Sequence, residues 1–221
     1  DAVFESGYLS HSGFRDAFAR TFGATPGKGE HVESVSLSWI ESPLGPLIAG
    51  ADDRGICLLE FSDRRMLEAQ LKTLARRLRR PLVPGEHRYL EQLRSELHEY
   101  FDGKRRIFEV PLNAPGTPFQ ERVWKELLGI PYGGLRSYEQ IAVAAGSPKA
   151  VRAVGCANGM NRIAIVIPCH RVVGKDGTPT GYGGGIWRKQ RLLELERGPG
   201  KGDTPLFHGQ EIAVSSRDDK P

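Results

Sequence analysis

Pro168-Cys169-His170-Arg171-Val172 is the stretch of this chain whose residue types are arranged for chemistry. It follows an unbroken apolar run, Ile163-Ala164-Ile165-Val166-Ile167, which reads as a short buried strand or extended segment. Proline stops that regular structure, and a cysteine stands where the chain must turn out of the core. A thiol at such a point, with an imidazole one residue away, is placed for nucleophilic work. Free cysteine is also among the most often buried residue types and packs as a small hydrophobe. Packing is the expectation for Cys57, in Gly55-Ile56-Cys57-Leu58-Leu59, and for Cys156, inside a helical pattern. Local context leaves Cys169 between the two roles. It does not separate a hydrolase from a transferase.

The elements that must hold this segment are legible around it. Thr117-Pro118-Phe119-Gln120 supplies an N-cap, a first-turn proline and a capping-box glutamine before Phe119, Val123 and Leu127 line one helix face. Ser137-Tyr138-Glu139-Gln140 repeats the capping box, and that helix is expected to end near Gly146. Ser147-Pro148-Lys149 opens a further helix running to about Asn158, so the two helices and their Gly-containing turn form a helix-turn-helix pattern. Upstream, residues 30–115 read as a small α+β unit with strands at 35–40, 47–49 and 55–61. Turns lie at Ser42-Pro43-Leu44-Gly45 and Asp52-Asp53-Arg54-Gly55. Two helices follow, one with Leu67, Leu71, Leu74 and Leu78 on a stripe and one with Leu90, Leu93, Leu97 and Phe101. A further strand is expected at 108–112. Residues 1–29 hold a helical pattern with Phe14, Phe18 and Phe22 on one face and then a Gly/Pro linker. Residues 198–221 are polar, lack periodicity and read as a disordered tail.

Composition narrows the function classes. The chain has 221 residues, 39% hydrophobic and 26% charged, enough for one large or two small domains with a real core. Three cysteines without paired spacing point to a reducing compartment rather than a disulfide scaffold. The absence of CxxC and HxxxH patterns argues against a zinc site, and no cofactor or metal is expected. No run approaches the ~18 apolar residues that a membrane span requires, and no signal peptide opens the chain. Because it begins with Asp1 rather than Met, it is expected to be a fragment or a processed chain. Net charge is +4, yet from Gly116 to Arg197 twelve Lys/Arg stand against six Asp/Glu. That excess fits a polyanionic partner, nucleic acid first. The cluster Arg76-Arg77-Leu78-Arg79-Arg80 lies at a predicted helix end, where it complements the helix dipole.

Taken together, residues 35–197 resemble the O6-alkylguanine-DNA alkyltransferases. The matching elements are Ser42-Pro43-Leu44-Gly45, Phe119-Gln120, Val123-Trp124, Ile130-Pro131-Tyr132-Gly133, Ser137-Tyr138, residues 148–154, Asn161, residues 167–173, Gly181-Tyr182 and the helix 186–196. The resemblance implies an α+β chain: a small three-stranded sheet with helices (ribonuclease H-like) over 30–115, then a mostly helical domain with a helix-turn-helix (winged-helix-like) over 116–197. It implies that Cys169 takes the alkyl group from O6-alkylguanine, and from O4-alkylthymine, once per molecule. The product is a thioether that water does not hydrolyse.

By the same resemblance His170 is the base, acting through a water, and Glu196 orients it, a chain with the logic of a hydrolase triad without hydrolysis. Tyr138 donates toward the departing base's N3, and Asn161 braces the turn that carries the cysteine. Carbonyls of Cys169 and Val172 accept from the base's exocyclic amine. Tyr182 and Gly183 line the other side of the pocket, and Asn158 belongs to it too. The implied partner is double-stranded DNA, approached through the minor groove with the lesion base flipped out, by a monomer in the bacterial cytoplasm. Arg152 fills the vacated stack, Ala153 allows close approach, and Lys149 and Arg171 contact phosphates. Finally, Glu5-Ser6-Gly7-Tyr8-Leu9-Ser10 through Pro26 looks like the end of an AraC-type DNA-binding domain. That is similar to the Ada type of fusion, and the alternative it raises is a transcription regulator of the alkylation response.

Overall fold

A computed structural model describes residues 33–198. The AraC-like pattern at 1–29, with the regulator alternative that rests on it, and the tail reading for 199–221 lie outside the described residues.

Three antiparallel strands form a meander: β1 (Val35–Ile40), β2 (Leu47–Asp52) and β3 (Gly55–Phe61). The turns between them close as their residue types dictate. Ser42 Oγ takes the amide of Leu44 at 3.2 Å, and Asp52 Oδ1 takes those of Arg54 and Gly55 at 3.0 and 3.2 Å. Gly55 is required: its φ is +148°, and a Cβ there would lie 2.4 Å from the Pro111 carbonyl oxygen. A fourth strand, β4 (Leu82–Pro84), pairs parallel to β1, giving the order β3-β2-β1-β4. The expectation was three strands. Three residues ending in proline carry too little pattern to announce an edge strand. The strand expected at 108–112 reduces to a single bridge between Ile56 and Leu112.

Alternation assigns each sheet face to its cover. Leu37, Trp39, Ile48, Cys57 and Leu58 pack on α1 (Leu67–Leu78) through Leu67, Leu71 and Leu74. Leu47, Ala49, Ile56, Leu59 and Phe61 face the other way, into the core that holds α2 (Arg88–Phe101) and the C-terminal helices. Cys57 is thus the packing residue it was expected to be. Cys156 is not: it lies exposed.

The C-terminal half begins with α3 (Pro118–Leu128) and continues with α4 (Tyr138–Ala144), each opened by the capping box read from its sequence. Gly146, at φ +68°, turns the chain toward α5 (Val151–Gly159). This helix starts later than expected, because residues 147–150 form a turn with Ala150 N donating to Ser147 O at 2.8 Å. Trp124 Nε1 donates to Ala157 O at 2.9 Å and fixes α5 against α3. A short parallel pair, β5 (Arg136–Ser137) and β6 (Val172–Val173), joins the start of α4 to the chain just past His170. The last helix among the described residues is α6 (Ile186–Arg197).

The apolar run before the cysteine is buried, as expected, but it is not a strand. Leu59 N donates to Arg162 O and Ala164 N to Leu59 O, both at 2.7 Å, so the run makes one bridge to the outer edge of β3. It then folds back, with Ile165 at φ +70° and Ile167 N donating to Ile163 O at 3.0 Å. A β-branched residue in the left-handed region is strained, and a packed surrounding must hold it there. The segment Cys169–Arg171 closes the feature as one turn of 3-10 helix.

Candidate active site and nucleic-acid interface

Cys169 is buried, and its sulfur accepts a hydrogen bond from Asn161 Nδ2 at 3.1 Å. Asn161 is itself fastened into the turn: Nδ2 also reaches Ile167 O at 2.9 Å, and Oδ1 takes the Ile163 amide at 3.0 Å. A short amide just past a helix end thereby braces both limbs of the loop. Burial pushes the Cys169 thiol up; the Asn161 amide and the cations Arg64 and Lys189 oppose that push.

His170 is fully buried, with Nε2 2.9 Å from Glu196 Oε1. Its Nδ1 is buried without a hydrogen-bond partner among the described residues. A carboxylate against Nε2 places the ring proton there and leaves Nδ1 as the basic nitrogen. Burial holds the imidazole below its ordinary pKa, despite the opposing pull of Glu196, so at neutral pH it is free to accept a proton. Burial would raise Glu196, but His170 and Arg171 outweigh it and keep the carboxyl well below the usual carboxylate range. Tyr100 Oη at 2.8 Å and Gly133 N at 3.1 Å complete its partners.

Arg171 corrects an expectation. It does not face phosphate; it is buried, donating to Glu196 from Nε at 2.9 Å and Nη2 at 2.8 Å and to Ile130 O from Nη1 at 2.6 Å. The reason is electrostatic: a carboxylate beside a neutral buried histidine needs a permanent cation, and the neighbouring guanidinium supplies it with fork geometry.

The other site residues surround this centre. Tyr138, the first residue of α4, is half-buried and donates to Thr180 O at 3.0 Å. Burial raises its pKa, so it is a proton donor at neutral pH. Asn158 is buried and donates to Cys169 O at 3.4 Å, while its Oδ1 has no partner among the described residues. The Tyr182 hydroxyl is likewise buried and without a partner among the described residues. Val172 is buried and its carbonyl accepts from Lys189 Nζ, which also donates to Thr180 O at 2.8 Å. Lys189 escaped sequence reasoning. It is fully buried, and burial lowers its pKa to about 8. Its signal was positional: with Leu192, Leu193 and Glu196 it shares the inward stripe of α6.

One face of α5 looks outward. Arg152, Ala153 and Cys156 are exposed along it, and Lys149 is exposed on the preceding turn. Neither Arg152 nor Lys149 has a hydrogen-bond or ion-pair partner among the described residues. The surface combines free positive charge with small side chains, the composition that lets a helix press close to a polyanionic groove. Among the described residues no group of His, Cys, Asp and Glu is arranged to hold a metal ion. Nor is any of their helices long and apolar enough to cross a membrane.

Comparison with known proteins converges on one group. The family model for the 6-O-methylguanine DNA methyltransferase ribonuclease-like domain matches residues 36–114, and that for the DNA binding domain of the same proteins matches 118–198. A methylated-DNA–protein-cysteine methyltransferase of Mycobacterium tuberculosis is 47% identical over 169 residues, covering 76% of this chain and 96% of the relative. The constitutive one of Bacillus subtilis is 44% identical over 158 residues, covering 71% and 92%. Among solved structures, M. tuberculosis O6-methylguanine methyltransferase superposes with a TM-score of 0.61 at 43% identity, over 74% of this chain and 92% of that one. The M. tuberculosis protein OGT in complex with DNA gives 0.63 at 44% identity, over 74% and 93%.

Proposed function

The chain belongs to the 6-O-methylguanine DNA methyltransferase family, and from that premise we propose that Cys169 is the sulfur on which it takes the alkyl group and that the residues around it divide the work as follows. The protein is a DNA repair enzyme, a methylated-DNA–protein-cysteine methyltransferase.

The observation that carries the assignment is the polarity of His170, with Glu196 on Nε2 and an unpartnered Nδ1 one residue from a buried thiol. The thiol proton passes to Nδ1 through a water, and the sulfur attacks the alkyl carbon on O6 of guanine. As the S–C bond forms the C–O6 bond breaks, and its electron pair stays with the base. Tyr138 leaves Thr180 O and donates to the departing guanine, neutralising it. Glu196, held ionised by Arg171, stabilises the imidazolium that results. Asn161 aims the sulfur. The thioether is inert to water, so each molecule acts once.

DNA is the partner, bound by a monomer through the exposed face of α5 in the minor groove. Arg152 enters the stack in place of the flipped base, Ala153 permits the approach, and Lys149 contacts phosphate. Tyr182, Gly183, Val172 and Asn158 line the base pocket. O4-alkylthymine presents the same alkyl–oxygen bond and is a second substrate. Residues 30–115 form the supporting domain and 116–197 the catalytic one. A free thiol held for a single use suits the reducing cytoplasm, beside the nucleoid.

Mass spectrometry after incubation with duplex DNA containing O6-methylguanine tests the reading. The peptide containing Cys169 gains one CH2 unit in proportion to lesions lost. Turnover beyond one equivalent, or an unmodified Cys169 alongside lost lesions, overturns it.

A further inference from the structure

The link from β3 to α1 holds an arginine that the sequence did not single out. The Arg64 side chain is 7% exposed and pairs with Glu60, whose side chain is fully buried. It donates to Gly159 O at 2.5 Å and Asn161 O at 3.3 Å, at the end of α5 and the start of the loop that leads to Cys169. Its far side lies against Gly183, where a Cβ would come within 2.5 Å of the guanidinium carbon. Among the described residues Arg64 Nε is buried without a partner, as is the Tyr182 hydroxyl. One residue earlier, Asp63 takes two hydrogen bonds from Arg188, at 2.9 and 2.8 Å, and Arg188 also donates to Gly184 O at 2.9 Å. Two consecutive residues of the N-terminal half therefore fasten two separate parts of the C-terminal half, the junction of α5 with the loop to Cys169 and the first turn of α6.

We propose that Arg64 is a positioning residue for alkyl transfer: its guanidinium is the spacer that sets the gap between the Asn161–Cys169 contact and the Gly183 wall, and it adds a fixed positive charge to that gap. This rests on the reading of Cys169 as the alkyl acceptor. A planar guanidinium suits the task because it hydrogen-bonds in its plane to Gly159 and Asn161 while presenting a flat face to a residue without a side chain. Glycine at 183 is explained at the same time, since any side chain there meets Arg64. Asn161 holds the sulfur by a single amide hydrogen bond, so a shift of the backbone that Arg64 grips moves the nucleophile. The charged and titratable groups facing Cys169 are Arg64 and Lys189, the hydroxyls of Tyr138 and Tyr182, and His170 beside it in the chain. Of the two cations, only Arg64 belongs to the N-terminal half.

The test uses the full chain and single-turnover alkylation of Cys169 by O6-methylguanine duplex and by free O6-benzylguanine, each across pH. Arg64→Gln is made together with Glu60→Gln so that no buried carboxylate is left unpaired. It slows transfer from both substrates roughly tenfold, because the backbone that aims the sulfur shifts, and moves the pH profile upward as one of the cations opposing burial is lost. Arg64→Lys restores the pH profile while leaving the rate reduced, because charge returns without the fork. Gly183→Ala slows the wild type but adds nothing in the Arg64→Gln background. Wild-type rates and an unmoved pH profile in folded Arg64→Gln protein overturn the proposal. Should that variant not fold, Gly183→Ala decides, since it leaves the Arg64–Glu60 pair in place; an unchanged rate and profile there overturn it equally. A wild type that never alkylates Cys169 defeats instead the reading on which the proposal rests.

Discussion

Arg171 and Glu196 meet inside the protein, twenty-five residues apart in sequence, with Nε 2.9 Å from one carboxylate oxygen and Nη2 2.8 Å from the other. Both are buried, so the pair is an internal counterweight rather than a surface bridge. It lets a carboxylate stay ionised beside a neutral imidazole, the condition under which His170 presents a basic nitrogen.

Removing the carboxylate exposes that dependence. Glu196→Gln leaves Arg171 charged and uncompensated, and breaking a buried pair in this way costs about 3–5 kcal/mol. Chemical denaturation measures the loss, and alkyl transfer falls with it. Glu196→Gln combined with Arg171→Met removes both charges. It recovers most of the stability but not the transfer rate, because His170 still lacks its anionic partner.

Acid acts through His170. Its pKa in the folded protein is depressed by burial, so below the unfolded value of 6.5 the unfolded chain binds the proton more readily than the native one. The contribution is fully present above pH 6.5 and is lost as pH falls from there toward the folded pKa. Denaturation midpoints of the wild type therefore decline through this window more steeply than those of His170→Gln.

Asn161→Ala removes the hydrogen bond that both aims the sulfur and favours its thiolate. Loss of the amide leaves the Ile163 N–H buried without its partner, a cost of about 1–3 kcal/mol for an unsatisfied group, while Ile167 O keeps the Cys169 amide. The pH at which Cys169 reacts with iodoacetamide rises, since the opposing effect of burial is then less offset. A thiol titration followed by peptide mapping reports it.

Arg152→Ala separates DNA engagement from chemistry. The side chain is exposed and unpartnered among the described residues, so the melting curve stays within about 0.5 kcal/mol of the wild type. Transfer from duplex DNA slows, while transfer from free O6-benzylguanine, which needs no flipping, is unchanged. Lys149→Ala lowers the slope of log affinity against log salt by about one if it holds a phosphate.

Local patterns proved readable where one element answers to one physical rule. The capping boxes at Thr117 and Ser137, the leucine stripe of α1 and the alternation of β1 and β3 required only near neighbours. Misreadings fell where tertiary demands override them. The run 163–167 looks like a strand, but Asn161 and the β3 edge bend it through a strained isoleucine. Arg171 looks like a surface cation because nothing in its neighbourhood reveals that Glu196 waits across the fold. Cys156 falls on the outward face because α5 turns its apolar residues Val154 and Ala157 inward. Lys189 and Arg64 are ordinary by type and unusual only by burial, which a single sequence discloses weakly.

The bridge between Leu59 and the segment 162–164 bears on more than the placement of the thiol. Strand β3 is an edge strand, and edges invite pairing with other chains. Here its outward groups are occupied, at Ile56 by Pro111 and Asn113 and at Leu59 by Arg162 and Ala164. The nucleophile's own loop thus caps a surface that would otherwise template aggregation. Anything that lifts the loop also uncaps the sheet, so the working state of the sulfur and the colloidal stability of the molecule are guarded by the same two hydrogen bonds.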